Sequence, residues 1–186
     1  MNEVNAVTTR DRITGGLLVL VVVAAQARLM GRATALLSVA LVVSYLLWAA
    51  ALWNSDPENV LPMYLLAIAV QCLHFTEEFA AGFQREFPKL AGNEWSDAQF
   101  VAFNLGWIAV FVLAGIGVYR RVPLAWLVVL FLAVGGGVAN GAGHLLLSAM
   151  QGKYFPGAAT APLCLLVGIT LLVKLFGGTR GRQERE

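Results

Sequence analysis

The chain has only two histidines, His74 and His144. Each lies in an apolar run beside groups that could share its chemistry. His74 opens the string His74-Phe75-Thr76-Glu77-Glu78, near the end of an apolar run over 60–82. Helical spacing puts Glu77 (i+3) and Glu78 (i+4) one turn from His74, so the three can share a face. His144 stands one turn after Asn140 on a later run. Two imidazoles and two carboxylates suit a divalent ion of the zinc or non-haem iron type. On this reading His74, Glu78 and His144 are metal ligands and Glu77 is the general acid or base. Asn104 and Asn140 orient the substrate or the ligands, and Trp107 and Tyr154 shape its pocket. Without an ion, Glu77 and Glu78 would form an acid–base pair, because two carboxylates so close in low dielectric do not both ionise easily. The shared proton could go to an alkene, epoxide or ester oxygen of a lipid, with Asn104 as a third catalytic group.

Other chemistries lack their marks. His-x-x-Glu-Glu is one residue from the His-x-x-Glu-His of inverzincins, but the last histidine is missing, so a protease does not follow. There is no Gly-rich phosphate loop, no Gly-x-Ser-x-Gly and no Cys-x-x-Cys, and no organic cofactor is expected. Cys72 and Cys164 read as small core residues.

The elements that must position these groups are set by composition. Of 186 residues, 59% are hydrophobic and 13% charged, with a mean hydropathy of +0.72. Soluble domains carry about 25% charged residues, so this chain reads as a polytopic membrane protein. The expected fold is all-α, one transmembrane helix bundle over 13–176 with about six membrane-spanning helices. A polar tail, 1–12, precedes it and a charged tail, 177–186, follows. The runs are 13–27, 33–53, 60–82, 97–118, 123–150 and 158–176. The first also fits a signal peptide, since Arg10 and Arg12 form a basic flank and Ala25-Gln26-Ala27 has the form of a cleavage site. Polar connections are expected at 54–59 and 85–97, and Ser96-Asp97 offers a helix cap. The fifth run is rich in glycine between 135 and 143 and is expected at the centre, with Gly137, Gly141 and Gly143 at close helix contacts. A net charge of +2 suggests no nucleic-acid partner.

Depth unites the polar groups. At 1.5 Å per residue, His74 and Asn104 lie about 12 Å from the same face, and His144 and Asn140 about 9 and 15 Å from it. Of the 13 Lys and Arg, eight fall on segments that six spans would place inside and five on those outside, which favours both termini in the cytoplasm.

The ordered set His74-x-x-Glu77-Glu78, Asn104, Asn140-x-x-x-His144 and Gly152-x-Tyr154-x-Pro156-Gly157-x-x-Thr160 resembles the HXXEE-motif family of bacterial membrane proteins, over about residues 60–175. The resemblance implies an all-helical fold in the bacterial inner membrane and a shared polar site. It brings little function, because the family is largely uncharacterised. Its motif often lies nearer the N-terminus, so the first two helices read as an addition.

The function expected is an integral membrane enzyme, metal-dependent, acting on a lipophilic substrate by hydrolysis, isomerisation or cyclisation. The lipid bilayer and that small molecule are its expected partners. The alternatives are a metal-free acid–base enzyme and a small-solute, ion or proton transporter that uses the same cluster as a relay. A relay needs polar groups that continue to the other face, and the inner halves of helices three to five offer only Gln71. A purely structural role is disfavoured, because interhelical polar bridges return only about 1 kcal/mol each against the larger cost of burying two glutamates.

Overall fold

The computed structural model describes residues 7–50 and 56–183, with side chains up to 177. The start of the polar N-terminal tail, the end of the second apolar run with Asn54 and Ser55, and the last residues of the charged tail lie outside the described residues.

Every regular element among the described residues is helical. Helix α1 (Thr9–Met30) starts at a capping box in which Thr8 Oγ1 accepts from Asp11 N at 3.2 Å and Asp11 accepts from Thr8 N at 2.9 Å. A 3₁₀ turn, Gly31–Thr34, leads into α2 (Ala35–Ala50). The two helices double back on each other. Tyr45 Oη donates to Arg12 O at 3.1 Å, and Ser38 Oγ to Gln26 Oε1 at 3.2 Å. Asp56 caps α3 (Pro57–Ala81), whose Pro57 fits the first turn, where no N–H is required. Gly82, at φ 85°, ends α3 and turns the chain into α4 (Phe83–Leu90). Ser96 and Gln99 cap α5 (Asp97–Tyr119) reciprocally, at 3.1 and 2.9 Å, where the sequence places the cap. Pro123 opens α6 (Pro123–Phe131), which widens into a π-helical segment, Leu132–Ala139, and continues as α7 (Asn140–Gln151). Helix α8 (Ala161–Gln183) is the last.

Four helical stretches among the described residues are long and apolar enough to cross a membrane: Thr9–Ala50, Pro57–Ala81, Asp97–Tyr119 and Pro123–Gln151. That is fewer than the six expected, for two physical reasons. The turn at Gly31–Thr34 keeps helical bonding, so the first two runs form one stretch of 42 residues although it folds back. The apolar part of α8, Ala161–Gly177, is shorter than the roughly 20 residues that span a bilayer upright. These long apolar helices mark a membrane protein. Large apolar side chains such as Leu20, Leu105 and Leu113 face outward, as a lipid environment allows.

The segment from Pro123 to Gln151 is the most buried of the four stretches. A β-carbon on Gly137 would stand 2.5 Å from Gly168 Cα, and one on Gly141 2.7 Å from Ala161 O. Both glycines therefore let α8 approach backbone to backbone. Gly143 does not share this role, since its nearest neighbour, Leu36 Cδ2, would lie 3.7 Å away in ordinary contact. Gly141→Leu is expected to destabilise the bundle by about 1–3 kcal/mol or more through overpacking. A lower melting temperature in detergent checks this, and an unchanged one would show that α8 is not held there. The cysteines also divide. Cys164 is buried as expected, whereas Cys72 is exposed because it sits on the outward side of α3.

The expected polar connection over 85–97 contains α4, which is amphipathic. Phe83 and Phe87 stack at 4.6 Å on one side, while Arg85, Glu86 and Lys89 are on the other. Trp95 Nε1 donates to Met30 O at 2.7 Å, and Asn93 Oδ1 accepts from Ala33 N at 3.2 Å. These bonds tie the segment to the α1–α2 turn.

Candidate metal centre

Helix α3 carries His74, Glu77 and Glu78, and α7 carries Asn140 and His144. The segment after α7 folds over them. Gly152 (φ 61°) ends α7 and Gly157 (φ 91°) makes the second turn, both in the left-handed region that favours glycine. Gly157 is also needed for space, because a β-carbon there would stand 2.5 Å from His144 Nδ1 and 3.0 Å from His74 Cε1.

His74, Glu78 and His144 come together. Glu78 Oε1 lies 3.0 Å from His144 Nε2 and 3.5 Å from His74 Nε2. The two rings meet edge to face with centroids 4.7 Å apart. The three residues are 0%, 4% and 3% exposed in chain order, so water scarcely reaches them.

Their hydrogen-bond partners place a hydrogen on each Nδ1. His144 Nδ1 is 2.6 Å from Pro156 O, a pure acceptor, so Nδ1 carries the hydrogen. His74 Nδ1 is 2.7 Å from Thr160 Oγ1, whose own proton goes to Glu77 Oε2. Thr160 must therefore accept from His74 Nδ1–H. Each ring then turns its Nε2 toward Glu78 Oε1, and among the described residues His74 Nε2 has no hydrogen-bond partner. Where both rings are neutral, the three facing atoms are electron-rich and repel unless a cation lies between them. Ligands held about 2.0–2.1 Å from one ion stand about 2.9–3.4 Å apart, close to the two distances from Glu78. All three ligand atoms lie within 4.8 Å of one another, so the cluster could hold a metal ion. Imidazole ligands generally donate their second N–H to a carbonyl or carboxylate, as both do here, His74 through Thr160.

Glu77 faces the other way. It accepts from Tyr154 Oη at 2.5 Å, Ala159 N at 2.9 Å and Thr160 N at 2.7 Å, and also from Thr160 Oγ1. Both oxygens are engaged as acceptors, and the carboxylate holds the segment ahead of α8. Desolvation first, and the bond to Glu77 second, push the Tyr154 hydroxyl up to about 12, so it remains a donor at neutral pH.

Beside the cluster lies a chamber of about 90 Å³. Glu78, His144, Asn104, Asn140 and Trp107 line it, as the sequence expects of a substrate pocket. Tyr154 does not, since it is on the far side of Glu77. Asn104 Nδ2 is buried without a partner, which costs about 1–3 kcal/mol and is uncommon in a closed core. Several further site residues escape a reading by residue type. Gln71 lines the chamber. Phe83 from α4 lies over His144, with ring centroids 5.1 Å apart. Pro156 and Thr160 orient the imidazoles. Of these, Pro156 and Thr160 carried a signal through their place in the ordered motif, and Gln71 stood out only as a lone polar group on its run.

Residues 64–171 match the model of a family described as protein of unknown function with HXXEE motif. The chain belongs to the HXXEE-motif family. Neither a curated protein nor a solved structure matches it. The match runs from α3 into α8 and contains the whole cluster, Glu77 and Thr160, while α1 and α2 lie outside it. In this HXXEE protein the histidine and the second glutamate of the motif meet His144 in one cluster, and the first glutamate faces the segment that orients it. The 3₁₀ turn and α2 still contribute to the site, because Ala33, Leu36 and Leu37 form part of the chamber wall.

Proposed function

We propose that this HXXEE protein is an integral membrane enzyme that holds one divalent transition metal, zinc or iron, between His74, Glu78 and His144. It would act on a lipophilic molecule in the adjoining chamber by hydrolysis, isomerisation or cyclisation. The observation that carries this reading is the pair of Nε2 atoms aimed at Glu78 Oε1, each ring held by an acceptor at Nδ1. A bound dication would supply Lewis-acid polarisation of an oxygen in the substrate. Glu78 would offset part of its charge in a site with little water. Asn104 and Asn140 would hydrogen-bond and orient the substrate beside the cluster. Glu77 would position Thr160 and thereby the His74 ring. The aromatic wall, including Trp107 tilted against Phe131 with ring centroids 4.6 Å apart, suits an apolar substrate. A transmembrane relay has less support, because the buried α3 side chains beyond Gln71 toward its start are Val70, Ile68, Ala67, Tyr64, Val60 and Pro57. The metal content of the purified protein is the test.

We also place α1, α2 and α8 as separate crossings, giving about six in the bacterial inner membrane with both termini cytoplasmic. With Cys72 replaced by serine, Glu94→Cys and Lys153→Cys are expected to label from outside the cell and Arg121→Cys only from within. Labelling of Glu94→Cys and Arg121→Cys from one face would end this arrangement.

A further inference from the structure

We infer that Gln71, Asn104 and Asn140 form a recognition site for the uncharged hydroxyl head of a long-chain alcohol, whose hydrocarbon chain lies in the groove between α1 and α5. This names the substrate class of the chamber proposed above and rests on that reading only for what happens at the reacting end.

Three carboxamides, one each from α3, α5 and α7, line the chamber. Gln71 is 3% exposed and Asn104 7%. Among the described residues none of the three has a hydrogen-bond partner, and Asn104 Nδ2 is shut away from solvent without one. Gln71 lies against Gly136 of the π-helical segment, where a β-carbon would come 3.0 Å from its Oε1. The missing side chain there makes room for the carboxamide. Buried carboxamides left open in this way are poorly explained by core stability, since each would be better paired or replaced by leucine. They are well explained by a ligand that supplies one donor and one acceptor.

The head is uncharged because, among the described residues, the chamber offers no Lys or Arg, and its one carboxylate is Glu78. A carboxylate or phosphate would meet a like charge with no cation from the chain. A hydroxyl donates once and accepts, which a set of carboxamides can satisfy completely.

Size decides where the rest of the molecule goes. A cavity of about 150 Å³ holds benzene, so a chamber of about 90 Å³ takes a head group and little more. Beside it runs an apolar groove of about 690 Å³ between α1, α5 and α6, within the range of about 300–1,000 Å³ common for small-molecule sites. Phe103, Trp107 and Phe131 line both spaces, so the two share a wall. Leu18 and Val22 of α1 face Gly106 and Val110 of α5 across the groove. A β-carbon on Gly106 would meet nothing within 4 Å, so the groove has free width at that point.

The test uses the full chain in lipid nanodiscs, in metal-free and zinc-loaded forms, with hexadecanol carrying a photoreactive diazirine in mid-chain. Labelling is expected on the groove residues of α1 and α5 in both forms. Unlabelled hexadecanol should compete at least tenfold better than hexadecane, and palmitate should compete no better than hexadecane in the metal-free form. Gln71→Leu and Asn104→Leu should erase the preference for the alcohol. Gly106→Leu should fill the groove and abolish labelling at an unchanged melting temperature, which separates loss of binding from loss of fold. Equal competition by hexadecane, labels spread over the outward faces of α2 and α8, or full labelling of Gly106→Leu would each overturn the inference. Alcohol binding by a chain that takes up no metal would leave this site standing and remove the metal enzyme. Metal uptake without alcohol binding would do the reverse.

Discussion

Protein purified without chelator is expected to carry about one equivalent of zinc or iron per chain, and His144→Ala and Glu78→Ala are expected to carry none. The expectation follows from what the three side chains do to one another without an ion. His144 Nδ1 gives its hydrogen to Pro156 O and His74 Nδ1 gives its hydrogen to Thr160. Both Nε2 atoms then face one carboxylate oxygen at 3.0 and 3.5 Å in a nearly dry site, an arrangement that suits a shared cation. Truncating either ligand removes a third of the donor set and leaves the remainder facing a gap. Asn104→Ala should keep the metal, because Asn104 lines the chamber without belonging to the cluster. Binding should weaken as pH falls, since protons compete with the ion for the imidazoles and the carboxylate. Elemental analysis of the wild type and the three variants reads this directly. A metal-free wild type whose melting temperature does not respond to added zinc or iron would remove the metal centre and leave the acid–base alternative.

Glu77→Gln is expected to lower metal affinity by about 10–100-fold, the usual cost of losing a partner that orients an imidazole ligand. Glutamate accepts four hydrogen bonds here, three of them from Ala159 and Thr160 just ahead of α8. Glutamine has one acceptor oxygen and an NH₂ group that must face donors, so at least one bond becomes a repulsion. Thr160 then loses the acceptor that sets its hydroxyl, and His74 loses a fixed tautomer. Thr160→Val should reproduce the effect and Thr160→Ser should restore near-normal affinity. Isothermal titration with zinc distinguishes the roles. A general acid at Glu77 would lose turnover on substitution with metal affinity unchanged, and that outcome would overturn the positioning role.

Much of this site was legible because helical rise is constant. Counting residues along three helices brings His74, Asn104, Asn140 and His144 to one level without any knowledge of how the helices pack. Azimuth is different. Glu77 and Glu78 are neighbours, about 100° apart around the helix axis. Which of them meets His144 depends on where α7 and α8 stand, and residue types do not record that. Sequence spacing therefore supports both as site residues and cannot divide their tasks. The Pro156 acceptor was hidden for another reason, since a main-chain carbonyl leaves no mark in a residue's identity. Helix α4 was obscured by its charges. Arg85, Glu86 and Lys89 make the segment look like a solvated connection, although Phe83 and Phe87 repeat at i, i+4 and turn inward. The helix cap at Ser96 was readable, because capping is local chemistry.

The distance in sequence between Thr160 and its two partners on α3 has a consequence for biosynthesis. A ribosome delivers α3 early, and the hydroxyl that orients His74 arrives 86 positions later. Until then His74 and Glu78 have a bilayer-length helix but no partner from α7 and no turn to fix the ring. Glu77 likewise waits for the backbone amides ahead of α8. The site thus cannot close on a partly inserted chain, and a metal bound there would report that the segment ahead of the final helix has been laid in place.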